Sequence, residues 1–171
     1  MKRAVFLDRD GVINKVLFRK GKAVSPRKFE EFEFVENIRK EVQRIKDAGF
    51  LVIVITNQPE VARRTLPIWE LEKMTARLRS FLPIDDIWIC PHDDNAQCAC
   101  RKPKHGMIQQ ALNRYPIDIK KSFFIGDSWR DMELARNVGC KGILIDTLYN
   151  QDLDCFRRVR DIQEAVDFIL A

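Results

Sequence analysis

The sequence predicts an α/β fold, an open parallel sheet with helices packed against its faces. Two observations carry that reading. Short, continuously apolar runs alternate with amphipathic stretches along the chain, the pattern of strands buried on both faces of a parallel sheet. The apolar runs also end on polar or acidic residues, at the edge where open α/β sheets bind ligands.

Runs at 4–7, 50–55, 87–89, 123–125 and 143–145 are the expected strands, leading into Asp8, Thr56, Cys90, Gly126-Asp127 and Asp146. Helices are expected where apolar residues recur every three or four positions. Ile38, Val42 and Ile45 form one such face, closed by Gly49 as a C-terminal cap. Leu71, Met74, Leu78 and Phe81 form a second, with Pro67 near its start. Met107, Ile108, Ala111, Leu112 and Tyr115 give a third. Met132, Ala135 and Val138, ahead of Gly139, give a fourth, and Ile162, Ala165, Val166 and Ile169 a fifth. Residues 14–31 are irregular and basic and read as a long loop. Strand–helix alternation implies right-handed crossovers, and residues 1–171 are expected to form a single domain.

Composition excludes other classes. Hydrophobic residues make up 46% of the chain, the globular norm, and the 32% that are charged mix both signs, unlike disordered or coiled-coil chains. The longest uncharged stretch, 48–59, is too short for a membrane span, which needs about 18 apolar residues. Acidic residues appear near the N-terminus before any apolar export signal develops, so a cytoplasmic location is expected. The net charge of +5 suits anionic partners. Five cysteines without an export signal argue against a disulfide scaffold, and three of them fall within 90–100, which points to a metal.

Three strand ends gather the polar groups that carry chemistry. Asp8 and Asp10 follow the first strand, Thr56 the second, and Asp127 and Asp131 the fourth. Taken singly, each also reads as a turn or a helix cap. Together they crowd carboxylates at one sheet edge, a conflict that a hard divalent cation resolves; magnesium binds through one or two carboxylates plus phosphate oxygens. Lys102 adds a cation to balance a phosphoryl group. Phosphoryl transfer is the chemistry implied.

On Asp8-Arg9-Asp10-Gly11, Thr56, Lys102 and Gly126-Asp127 through Asp131, in that order, the sequence resembles the haloacid dehalogenase superfamily of phosphatases. The resemblance implies a Rossmann-like sheet, an aspartyl-phosphate on Asp8, and Asp10 as the acid and base. It gives Thr56 and Lys102 to the phosphoryl oxygens, and Asp8, the Asp10 carbonyl and Asp127 to Mg²⁺, with Asp131 in a supporting role. Forty-five residues separate Asp10 from Thr56, and another 45 separate Thr56 from Lys102. A helix and a strand consume much of each interval, so the fold is expected to be capless.

Cys90, His92, Cys98 and Cys100 have the spacing of a closed, tetrahedral, structural Zn²⁺ site on a zinc-binding loop that aims Arg101 and Lys102 inward. Cys140 reads as a packed thiol, and Cys155 has no functional reading. With the loop's Cys-Pro-His and Cys-Ala-Cys-Arg-Lys-Pro, Thr56-Asn57-Gln58 and Ala62-Arg63, the chain is similar to the heptose-bisphosphate and histidinol-phosphate phosphatases. That resemblance implies substrate or phosphate contacts for Asn57, Gln58, Arg63 and Arg101. Pro59-Glu60 and Arg64 depart from the family pattern where the sugar would be read. Arg64 and the basic segment 19–28 are candidates for a second phosphate, or simply solvated.

A small phosphorylated sugar is therefore the expected substrate, with histidinol phosphate as the alternative. No nucleic acid, membrane or partner chain is expected, and a monomer completes the site. A nucleic-acid 3′-phosphatase is disfavoured because the basic residues lack interleaved aromatics. A non-catalytic module is disfavoured because no catalytic part is missing.

Overall fold

The computed structural model describes residues 1–171. The main sheet has six strands, β1 (Ala4–Leu7), β4 (Leu51–Asn57), β5 (Asp86–Cys90), β6 (Phe123–Gly126), β7 (Lys141–Ile145) and β8 (Arg157–Val159). They are all parallel, in the spatial order β5-β4-β1-β6-β7-β8. The order reverses between β1 and β6, and a crevice opens at such a switch point.

Helices cover both faces. α1 (Ile38–Asp47), α2 (Ile68–Phe81) and α5 (Ile162–Leu170) pack with Val5 and Leu7 of β1 in the larger core cluster. α3 (Gly106–Arg114) and α4 (Trp129–Val138) pack with Ala4 and Phe6 on the other face. Consecutive β1 side chains thus point to opposite layers, as the pleat requires, and each layer is a cluster of buried apolar residues. All five expected strands and helices are present. No helix is long and apolar enough to cross a membrane.

The structure corrects two readings. The expected loop at 14–31 contains a hairpin, β2 (Leu17–Arg19) against β3 (Lys22–Val24). Lys20 and Gly21 turn it with φ of 50° and 74°, both in the left-handed region that tight two-residue hairpins need. Lysine tolerates that conformation poorly, so Lys-Gly hid a turn that Asn-Gly would have announced. β8 is the second correction: three residues with only Val159 buried give no apolar run.

Candidate active site

At the switch point, the backbone leaves β1 and places Asp8 over the end of β6. Asp8 Oδ1 accepts from the Arg9 amide at 2.7 Å and meets Lys102 Nζ at 2.8 Å, leaving Oδ2 unpaired. Gly11 follows with φ +84°. A Cβ there would fall 2.1 Å from Asp127 Oδ2, so only glycine lets the β1 and β6 loops meet this closely. Gly126 is constrained in the same way, since a Cβ would lie 2.3 Å from Asp131 Cβ.

Asp8, Asp127 and Asp131 offer oxygens that all lie within 4.8 Å of one another. Burial, and then the Asp131 charge, push the Asp8 carboxyl well above its ordinary range. The same two causes lift Asp127 to about 7. A set of buried acids that resists ionising alone is the setting a divalent cation suits. Asp131 has no oxygen to spare. Its Oδ1 accepts from Lys102 Nζ at 2.7 Å, and its Oδ2 takes the Ser128 amide and hydroxyl at 3.1 and 2.6 Å, completing the capping box of α4. Asp127 keeps Oδ1 free and lies beside Asp8 in the cluster, so those two fit Mg²⁺, while Asp8 Oδ2 stays open to the cavity and Asp131 holds its neighbours.

Lys102 is buried. Its ammonium meets Asp8, Asp131 and, at 3.1 Å, the Ile55 carbonyl. Burial would lower its pKa, but the two carboxylates overcome that and raise it, so it stays charged. Asn57 fixes the Lys102 backbone twice, accepting from its amide at 3.0 Å and donating to its carbonyl at 3.2 Å.

Asp10 is turned away from the three-acid cluster. Oδ1 accepts from Arg9 Nε and Nη2 and Asn14 Nδ2, and Oδ2 from Arg9 Nη2 and Gln58 Nε2, at 2.7–3.1 Å. Burial raises its pKa, but the Arg9 charge and these bonds together hold it below the ordinary carboxylate value. Its carboxylate is outside the metal cluster, so the expected metal contact falls to its main-chain carbonyl. Gln58 is fully buried and also donates to Thr56 Oγ1 at 3.0 Å, leaving the Thr56 proton free to give. Gln58 therefore reaches a substrate only through Thr56 and Asp10.

Above these groups lies a cavity of about 580 Å³, walled on one side by the β2–β3 hairpin with Phe18 and Lys22. Arg63, Arg101 and Arg130 line it. Arg63 holds Asp93 with two bonds, at 2.6 and 2.7 Å, and Arg101 holds Asp94 at 2.7 Å. Arg64, exposed, is not in the wall. Of the basic segment, Arg19 pairs with Glu31 and Arg27 with Glu60, while Lys22 faces the cavity. Arg9, Asn14, Arg130 and Tyr149 are the functional candidates that sequence reasoning missed. Tyr149 was the most findable, because it follows a strand end.

Cys90, His92, Cys98 and Cys100 converge at the end of β5. A tetrahedron with Zn–S bonds of about 2.3 Å has S···S edges of about 3.7 Å. Cys90 Sγ lies 3.7 Å from Cys98 Sγ and 3.6 Å from His92 Nδ1, close to such edges, while Cys100 Sγ sits nearer at 3.0 Å. The four ligands converge on one point, and three thiolates with one imidazole suit zinc.

The HAD-hydrolase-like family model matches residues 99–156. A D-glycero-beta-D-manno-heptose-1,7-bisphosphate 7-phosphatase of Helicobacter pylori is 34% identical over 98% of this chain and 97% of its own length. The alpha-named enzyme of Campylobacter jejuni is 32% identical over 97% and 95%. A crystal structure of the D,D-heptose 1,7-bisphosphate phosphatase of B. bronchiseptica, complexed with magnesium and phosphate, superposes with a TM-score of 0.83. It is 29% identical and covers 99% of this chain and 98% of its own. With its acids, lysine and threonine gathered at the switch point, the chain belongs to the haloacid dehalogenase-like phosphatases, in the family that includes the heptose-1,7-bisphosphate 7-phosphatases.

Proposed function

We propose that residues 1–171 form one catalytic unit that removes the 7-phosphate of D-glycero-D-manno-heptose 1,7-bisphosphate through an aspartyl-phosphate on Asp8. The observation that carries this is the asymmetry of Asp8. One oxygen is anchored by Arg9 and Lys102, and the other is unpaired below a cavity rimmed by arginines. Mg²⁺, held by Asp8, the Asp10 carbonyl and Asp127, would neutralise these carboxylates and polarise the phosphoryl group.

Asp8 Oδ2 attacks phosphorus, the bond to the sugar oxygen breaks, and Asp10 gives that oxygen a proton. Asp10 then takes a proton from water, which attacks the same phosphorus, releases phosphate and restores Asp8. The contacts with Arg9, Asn14 and Gln58 favour the ionised Asp10 of the second half-reaction, and the proton it then takes from water is the one it gives in the next turnover, after turning from those contacts. Lys102 and the Thr56 hydroxyl hold the phosphoryl oxygens, and Asp131 and Asn57 position Lys102. Arg63 and Arg101 meet the distal phosphate, exchanging Asp93 and Asp94 for it. A cytoplasmic monomer acting on a small sugar phosphate, with no nucleic acid or membrane partner, completes the reading.

Phosphate release measured in parallel from the heptose bisphosphate, histidinol phosphate and a 3′-phosphorylated oligonucleotide tests the substrate. At least about tenfold higher kcat/KM for the heptose, roughly 1.4 kcal/mol of transition-state preference, is expected. The same margin for either competitor would overturn it.

The zinc cluster sets the loop that carries Arg101 and Lys102. Metal analysis is expected to give about one zinc per chain. Cys98→Ser should lose that zinc and lower kcat/KM by about 10–100-fold. A zinc-free wild-type protein with full activity would refute the structural role.

A further inference from the structure

Tyr149 lies in the loop after β7, outside every motif used so far. Its hydroxyl donates to Asp127 Oδ2 at 2.5 Å, and its ring lines the cavity. The loop is built to hold it there. Asn150, buried beside it, donates to the Asp127 and Ile145 carbonyls, both at 2.8 Å, and its Oδ1 accepts from the Thr147 amide at 3.0 Å. Arg158, on β8, clamps the far side by donating to the carbonyls of Asn150, Gln151 and Leu153 at 2.8–3.2 Å. The Tyr149 oxygen also lies 3.3 Å from where a Gly11 Cβ would stand, so the hydroxyl, the Asp127 carboxylate and the β1 loop close on one another.

We propose that Tyr149 is a positioning residue for the divalent-metal site: its hydroxyl occupies Asp127 Oδ2, fixes the carboxylate rotamer and leaves Oδ1 as the metal-facing oxygen. This rests on the proposed magnesium site. A carboxylate free to rotate must lose that freedom when a cation binds, and it also competes with itself between one- and two-oxygen coordination. A donor fixed by a rigid loop removes both costs before the ion arrives. Partners of this kind change metal affinity by about 10–100-fold. The geometry also joins the ion to the cavity wall, because the residue that orients Asp127 presents its ring to the substrate.

The test is calorimetric titration of Mg²⁺ into the zinc-loaded, substrate-free protein, for wild type, Tyr149→Phe and Tyr149→Leu. Phenylalanine keeps the ring and removes only the hydroxyl. Expected is a magnesium Kd raised about tenfold or more in Tyr149→Phe, with an unchanged Tm of the zinc-loaded protein in magnesium-free buffer showing that the fold is intact. Tyr149→Leu should show the same Kd as Tyr149→Phe, with a further rise in KM at saturating Mg²⁺ from loss of the ring. An unchanged Kd in Tyr149→Phe, with magnesium bound by wild type, overturns the role of Tyr149 and leaves the metal site standing. Wild type that binds no magnesium overturns both.

Discussion

Asp8→Asn is expected to lower kcat/KM by at least about 10⁴-fold while making the magnesium-free protein more stable, not less. The first half follows because an amide cannot form the acyl phosphate, and removing a nucleophile that works as part of a unit forfeits nearly the whole rate gain. The second follows from the cost of the native carboxylate. Folding buries Asp8 beside Asp131 and Asp127 and raises its pKa. An acid whose pKa rises on folding stabilises fully below about pH 4, and that contribution is lost as pH rises through its folded value. At pH 7 in magnesium-free buffer, with zinc kept, the neutral amide removes this penalty and still accepts from the Arg9 amide. A Tm a few degrees above wild type is expected. A Tm well below wild type would show that Lys102 more than compensates the buried charge.

Lys102→Met should be damaging on both counts. The ammonium balances two buried carboxylates at 2.8 and 2.7 Å, and methionine leaves both without a counter-charge. Breaking such a buried set costs about 3–5 kcal/mol, a Tm loss on the order of 10 °C for a chain of this size. Turnover should also fall by about 10³-fold, because Lys102 is the cation proposed to hold the transferring phosphoryl oxygens beside Asp8. The double variant Lys102→Met with Asp131→Asn separates the effects. It should recover much of the Tm and none of the turnover. Recovery of turnover would place the role of Lys102 in folding alone.

What could be read in advance follows the physics of each element. Strands buried on both faces announce themselves as unbroken apolar runs, and the acids after them stand out because nothing in a core explains them. Asp8, Asp127 and Asp131 therefore converge as the spacing implies, and so do the four zinc ligands. The hairpin strands and β8 are three residues each, too short to show a period, and β8 is mostly polar, so their pairing is decided by tertiary contacts that no local pattern carries. Arg9 shows the same limit at the site. Flanked by two aspartates it looks like a surface residue, yet it is 1% exposed and grips Asp10. Gln58 and Thr56 sit beside the site in sequence, but their bonds to each other and to Asp10 appear only in three dimensions.

The central claim is covalent: the phosphoryl group passes through Asp8. Wild type and Asp10→Asn, mixed with heptose bisphosphate carrying ³²P on the 7-phosphate and quenched in acid within milliseconds, test it directly. The account predicts acid-stable, hydroxylamine-sensitive label on the peptide that holds Asp8, persisting longer in Asp10→Asn because no base activates the water. Phosphate released in a first turnover with no labelled protein, or label mapped to another residue, would contradict it.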